Sequence, residues 1–507
     1  MAAISTSVDL NRVSAIVGYE IQATLEGIKA GNLPQRIGVL AEANSLNQSG
    51  LPNSLNFTTS KEVGEIMGYG SPAYQIARIL RPISGDLLGG IPTVIYPVVE
   101  DGTPTVTTST IAITGTASKT ATHKLIINGR EQVDGANYSF VVEKDDAPAA
   151  VAQKIIDTVN AVLGAPAIGT LSTNDAVLTS KWKGLTSAEL NVVIDQQGEA
   201  AGLDYAVVNV DGAGTPSIAT ALGNLGDEWT TLLINAIGTD TTTLDALEGV
   251  NGDPNAKTGR YEPTFFKPFV ALVGSTLSTL TGLTAITDAR KSEVTNAICP
   301  APNSTGFSFE APANVAFIYG KIAQDTPQSD PINQLYPDMP TPDDIGEFSD
   351  PSKRDQLVKV GSSTVKINSS RYQIVDLVTT YHPDEEPATA TLFRWVRDLV
   401  GLDWNIKYSY SLEEEIFVVG KTIIPNGKTV SAANTISPDR WKARLNGLAD
   451  ELEDRALIAD AKFMKESLQV QIGESNPNRF ETTFKAQRTG IARVLATTNQ
   501  TLFKFGG

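Results

Sequence analysis

The chain carries an α/β pattern that breaks off near Glu100 and resumes near Thr215, so its fold must close a core across an interruption. In the first half, Ile37–Leu40 reads as a short buried strand. Ser60 reads as the cap of a helix containing Val63 and Ile66 and stopped at Gly68-Tyr-Gly70. Tyr74–Leu80 repeats a helical spacing, and Ile91–Val99 is a further strand. Strand, helix and strand joined by short links make an α/β unit. In the second half, Leu232–Asn235 and Phe269–Gly274 read as buried strands. A helix over Asp288–Thr295 leads to a strand at Ala297–Cys299 and to a helix around Ala313–Ile322.

The interruption has its own character. Past Glu100-Asp-Gly-Thr-Pro104 the chain turns to Thr, Ser, Ala and Ile through Val106–Thr122, with strands expected at Lys124–Ile127, Tyr138–Val142, Ala176–Ser180 and Leu190–Ile194. One helix falls among them. Pro148 sits in its first turn, Asp145 or Asp146 is its expected cap, and Val151, Ile155, Val159 and Val162 recur at helical spacing. Residues 101–211 thus read as a β-rich unit inserted between two halves of another.

Beyond the second half, Asp325–Asp350 is Pro-rich, holds seven acids and no base, and shows no periodicity, so it reads as loop. Strands follow at Ser363–Ile367 and Tyr372–Thr380, then a helical region from Pro387 to about Tyr410. Ser437-Pro-Asp opens another helix, with Trp441, Leu445, Leu448 and Leu452 as its buried stripe. Ser467–Ile472 is the last strand before the tail.

That tail inverts the charge of the rest. From Asn476 to Gly507 there are five bases (Arg479, Lys485, Arg488, Arg493, Lys504) and one acid, Glu481, whereas the whole chain carries −17. Phe480, Thr482 and Phe484 alternate with period two, and Val494, Leu495, Leu502, Phe503 and Phe505 follow. A basic, strand-prone end on an acidic body suits reaching onto a neighbour, which points to polymerisation. The first thirty residues are strand-like at Ala15–Thr24. Extended, they span on the order of 100 Å. They read either as a frayed terminus or as a second arm.

Composition excludes much else. With 57 acids against 40 bases the chain lacks the basic patch that nucleic acid requires. A single cysteine, Cys299, rules out an intramolecular disulfide and a cysteine metal cluster. It reads as a small buried hydrophobe. No basic segment followed by an apolar run opens the chain, and no apolar run nears the roughly 20 residues of a membrane span. Only two histidines occur. His382, beside Asp384, Glu385 and Glu386, fits no metalloenzyme spacing and reads as part of an exposed acidic turn. His123 reads as solvated at a strand edge. Phosphate-binding glycine loops and a Gly-x-Ser-x-Gly elbow are absent, while Asn251-Gly-Asp253 and Asp211-Gly-Ala-Gly214 read as turns. No catalytic, cofactor or metal site is expected.

Three stretches carry a family resemblance. The first is Leu33-Pro-Gln-Arg-Ile-Gly-Val-Leu-Ala-Glu-Ala through Val63-Gly-Glu-Ile-Met-Gly-Tyr-Gly-Ser-Pro. The second is Ile111-Ala-Ile-Thr-Gly-Thr-Ala with Leu125-Ile-Ile-Asn-Gly and Ala149-Ala-Val-Ala-Gln-Lys-Ile. The third is Ile374-Val-Asp-Leu-Val-Thr-Thr-Tyr with Asn476-Pro-Asn-Arg-Phe. In this order they resemble the contractile phage tail sheath proteins of the Mu-like group, over nearly the full length.

That resemblance implies an α/β fold: a subtilisin-like core of mixed sheet with flanking helices, an inserted β-rich domain, and extended N- and C-terminal arms, without protease activity. Neither histidine is followed by Gly, and no Gly-Thr-Ser nucleophile loop exists, so no triad is supported. The division it implies is an arm at 1–30, core at 31–100 and 212–374, an outer β-rich domain at 101–211, a C-terminal sheath domain at 375–475 and a basic arm at 476–507. Expected partners are further copies of the chain, as stacked hexameric rings in a helical polymer, with the tail tube, baseplate and tail terminator proteins. Nucleic acid and a membrane anchor are not expected.

The location implied is the virion tail, assembled in the host cytoplasm. The residues expected to link subunits are Ile16, Val17, Tyr19, Ile21, Arg479, Phe480, Lys485, Arg488, Arg493, Val494, Leu495 and Phe503. An acidic interface loop is expected at Asp338, Asp343, Asp344, Glu347 and Asp350. The alternative, a secreted self-assembling surface or adhesin protein, requires a signal peptide that the opening residues do not supply.

Overall fold

A computed structural model describes residues 31–83, 88–100, 102–387, 389–428 and 430–501. Six strands form the central sheet, in the order Asn296–Pro300, Val270–Ser275, Leu232–Asn235, Ile37–Glu42, Thr93–Val98 and Leu55–Phe57. All neighbours run parallel except the short edge strand Leu55–Phe57, which is antiparallel. The five parallel strands are buried at every position. That explains why they read as unbroken apolar runs instead of alternating ones. Helices Pro72–Leu80 and Glu310–Asp325 pack on each other and on the sheet, and Thr241–Asn251 packs against the end strand Asn296–Pro300. The architecture is mixed α/β, as expected.

Residues between the third and fourth of these strands in chain order build two antiparallel sheets. One has the order Leu203–Val210, Val106–Gly115, Asp175–Lys183, Ala167–Ser172, and the other Val192–Asp195, Ala121–Ile127, Ser139–Val142. Helix Pro148–Ala161 packs against both. Along Val106–Ile113 and Asp175–Trp182 burial alternates strictly, so one face of the four-stranded sheet lies inward. The ends of the section meet where Thr105 N donates to Ala213 O at 2.9 Å. It shares one buried core with the central sheet. Trp182 lies edge-on to Phe307 and Phe309, at 5.3 and 6.4 Å between ring centroids. The same core runs on to Trp404.

A second buried cluster begins at Leu402. It gathers on helix Pro438–Asp454, whose cap Ser437 accepts from Arg440 N. Trp441, Leu445, Leu448 and Leu452 are its buried stripe, as the spacing predicts. Each buried leucine contributes about 1.5–3 kcal/mol.

Several local expectations are corrected. The cap of the first helix is Thr59, whose hydroxyl accepts from Glu62 N; Ser60 is already inside the turn. Neither Asp145 nor Asp146 caps Pro148–Ala161. Asp145 sits at φ +71°, and the Asp146 carboxylate is held by Glu143 N and Lys154 Nζ. The helix placed at Asp288–Thr295 lies earlier, at Leu280–Thr287, capped by Thr279. Only one 3-10 turn, Asp288–Arg290, follows, because Arg290 turns inward onto Asp245 and Glu248 at 2.8 and 2.9 Å. The helical region expected from Pro387 begins with a π-turn at Arg397–Asp403 and runs on to Phe417.

Both histidines are corrected too. His123 is fully buried at 0% exposure, with its ring nitrogens 2.8 Å from Tyr205 Oη and Glu199 O. The partner strand Leu203–Val210, unforeseen from the sequence, brings Tyr205 to it. His382 is buried as well, its Nδ1 2.6 Å from Thr380 O, because the chain folds back onto Lys291.

Candidate assembly site

Among the described residues the last regular structure is a two-stranded hairpin, Gln469–Ile472 against Phe480–Thr483. The turn between them closes by Gly473 N to Arg479 O and Arg479 N to Asn476 O. One face packs on helix Pro438–Asp454, with Trp441 Nε1 donating to Thr482 Oγ1 at 3.2 Å. Among the described residues neither outer edge has a neighbouring strand. Two strands alone are marginal, and open edges are templates for another chain. Phe480 and Phe484 lie half-buried against the second cluster, and Arg479 pairs with Glu481 at 3.3 Å in the open.

Past the hairpin the chain is extended but pinned. Lys485 N donates to Ser467 Oγ, and Ala459 N donates to Gln487 O at 2.7 Å. Arg488 pairs with Asp403 through both carboxylate oxygens, Nε to Oδ1 at 2.7 Å. Arg397 donates to the carbonyl and hydroxyl of Thr489, both at 2.7 Å. Arg493 pairs with Asp330, lies 3.6 Å from Asp376 Oδ1, and stacks its guanidinium 3.4 Å from the Trp395 ring centroid. Thr489–Ala492 line an open pocket of about 500 Å³ together with Gln328, Asp330, Arg397 and Ala456. Burial pushes the Asp330, Asp376 and Asp403 carboxyls up, an effect the arginines only partly offset. Then the pinning stops: Val494 is 89% exposed and Leu495 84%.

The structure therefore brings Arg488 and Arg493 against acids of their own chain and leaves Val494 and Leu495 free. Ile16, Val17, Tyr19, Ile21 and Phe503 lie outside the described residues. Of the acidic loop, Asp338 is held by Arg130 Nη2 at 3.2 Å, and Glu347 by Lys353 at 3.3 Å and Leu280 N. Asp350 caps helix Pro351–Lys359. Asp343 and Asp344 are exposed, Asp344 accepting from Gly346 N. None of the five pairs with a described tail residue; among the acids of Asp325–Asp350 the one that does is Asp330. Asp376, Trp395, Arg397 and Asp403 escaped the sequence reading, since each falls inside an element whose pattern marks it only as strand or helix.

Among the described residues no group of three or more His, Cys, Asp or Glu side chains could hold a metal. Among them, too, no helix is long and apolar enough to cross a membrane. Cys299 is buried, and burial pushes its thiol well up. In a parallel sheet ligands bind beyond the strand ends where the order reverses. Here that place adjoins Glu42, which Thr186 covers, while a pocket of about 340 Å³ lined by Thr186, Ile237, Asp240, Gly274 and Ser308 opens beside it. Thr186 Oγ1 donates to Glu42 Oε2 at 2.8 Å and accepts from Trp182 Nε1 at 3.0 Å.

The tail sheath resemblance read from the sequence is borne out by comparison with known proteins. The chain is related to the Mu-like prophage FluMu tail sheath protein of Haemophilus influenzae. The two are 25% identical over 391 residues, 76% of this chain and 77% of that protein. That relative is a structural sheath protein and not an enzyme. No known family profile matches the chain.

Among solved structures it overlaps the sheath tail protein of Desulfitobacterium hafniense, with a TM-score of 0.41 and 12% identity, covering 94% of this chain and 100% of that one. It also overlaps the contracted sheath of an extracellular contractile injection system. There the TM-score is 0.46 and the identity 11%, covering 96% and 98% of the two chains. Overlaps this loose add nothing to the fold described above.

Proposed function

We propose that the chain is the structural subunit of a contractile phage tail sheath. It polymerises as stacked hexameric rings in a helical cylinder around the tail tube, linked by donated terminal strands, and contracts to drive the tube through the host envelope. The observation that carries this reading is the hairpin Gln469–Ile472/Phe480–Thr483, open at both edges among the described residues, beside an extended tail whose apolar residues Val494 and Leu495 are almost fully exposed. An added strand supplies main-chain hydrogen bonds almost regardless of sequence, and two edges accept two strands. The donors are Ala15–Thr24 and the segment from Val494 onward. Head-to-tail contacts of this kind build helical assemblies when their rotation does not close.

In this reading the central sheet is a subtilisin-like core without activity, 31–100 and 212–374, and 101–211 is an inserted β-rich outer domain. Residues 375–475 form a C-terminal domain between two arms. The tube, baseplate and terminator are its partners, and the virion tail is its place. The extended sheath is a kinetically trapped assembly, and contraction releases free energy as cores rotate into new interfaces. The exposed Asp343 and Asp344 are left to meet bases on a neighbour, a contact that high salt weakens.

Negative-stain microscopy of the recombinant chain tests the reading. The full chain is expected to form hollow cylinders of uniform width, and chains spanning 25–507 or 1–493 are expected to form none. Ordinary cylinders from either truncation would remove strand donation.

A further inference from the structure

We propose that Asp330, Asp376 and Trp395 form a socket that seats Arg493 of the same chain and fixes the root of the C-terminal arm, so that only residues from Val494 onward leave for a neighbouring subunit. The last clause rests on the strand-donation reading; the socket itself does not.

Three elements far apart in sequence converge on one guanidinium. Asp330 comes from the segment after helix Glu310–Asp325, Asp376 ends the strand Arg371–Asp376, and Trp395 precedes the π-turn. Asp330 is 3% exposed and Asp376 half-buried, so their charges have lost most of their water and need a cation. The indole supplies a flat face at 3.4 Å, with the carboxylates around the guanidinium. A planar, delocalised cation fits that geometry and an ammonium does not.

A lone surface ion pair is worth little. This one closes a series that begins with Arg488 on Asp403 and Arg397 on Thr489. Between these holds Thr489–Ala492 line an open pocket of about 500 Å³, with Gly490 and Ala492 exposed. The change across one peptide bond, from a seated Arg493 to an almost fully exposed Val494, marks where the body ends.

Limited trypsin digestion of the full-length chain, read by mass spectrometry, tests the socket. Cleavage after Arg493 is expected to be slow and independent of protein concentration. It should quicken about tenfold or more in Asp330→Asn/Asp376→Asn, because local opening sets the rate. Arg493→Lys should fall between. Should the double variant misfold, hydrogen exchange of amides 487–493 in Arg493→Gln replaces it, and about tenfold faster exchange is expected. Equal rates in wild type and variants would overturn the socket. Protection that appears only in the assembled fraction would place another subunit's arginine there and overturn the same-chain assignment. A chain ending at Arg493, which has no bond left to cleave there and is read by hydrogen exchange of amides 487–493, separates the two ideas. Protection retained without cylinders supports both, whereas protection retained with normal cylinders sinks donation and leaves the socket standing.

Discussion

Glu42 ends the first central strand with its carboxyl 1% exposed and Oε1 lacking a hydrogen-bond partner. Burial, with the nearby Glu100 charge adding to it against the Thr186 bond, pushes it up to about 8. The folded protein therefore keeps Glu42 protonated where the unfolded chain ionises it. Its favourable contribution is fully present below the ordinary carboxylate value and is lost as pH rises from about 4.5 to about 8. Glu42→Gln, neutral at every pH, should stabilise the protein by on the order of 2–4 kcal/mol at pH 8 and by little at pH 4.5. Urea denaturation at both pH values measures it; equal gains would remove the argument.

Arg130 presents the opposite case. It pairs with Glu310, 1% exposed, at 2.9 Å, and with Asp338. Arg130→Ala strands a buried carboxylate and should cost about 3–5 kcal/mol. An unchanged denaturation midpoint would mean that Glu310 is already neutral.

At the scale of elements, the π-turn Arg397–Asp403 joins the two buried clusters, and Gly401 is the residue that lets it approach its neighbour. A Cβ there would lie 2.1 Å from Pro327 O, a backbone atom that cannot swing aside. Gly401→Ala is expected to cost about 1–3 kcal/mol, read as a lowered midpoint in chemical denaturation. Such a contact is invisible in sequence, where Leu399-Val-Gly-Leu402 is simply helical.

What was legible follows the same division. The parallel strands were found because burial on both faces makes their residues uniformly apolar. Helix Pro438–Asp454 was found because cap, first-turn proline and stripe agree. Strands Ala167–Ser172 and Leu203–Val210 escape the sequence reading because both are edges: the first is half Gly, Thr and Ser, and the apolar residues of the second keep no strict alternation. Asp350-Pro-Ser, the cap and first-turn proline of helix Pro351–Lys359, was a signal that the acidic run before it obscured. The arm root was hidden for another reason. Its partners are single residues brought together across as many as 163 positions.

For the molecule as a whole, one core joins the central sheet to the section between Thr105 and Ala213, although that section enters and leaves at a single point. Trp182 on Phe307 and Arg130 on Glu310 fasten the two together. Scanning calorimetry is expected to show them unfolding in one transition; a separate early transition from the β-rich section would contradict a shared core. Excising the section should expose Phe307 and leave Glu310 unpaired, so the remainder is expected to aggregate.

The hairpin tip Thr173–Asn174 offers another route to alteration. It is exposed, joins Ala167–Ser172 to Asp175–Lys183 in two residues, and Thr173 sits at φ +57°. Loop tips of this kind tolerate added chain. A peptide spliced there would be carried by every copy of the chain, which makes the tip a place to hang a label, an antigen or an affinity handle away from the C-terminal hairpin and tail.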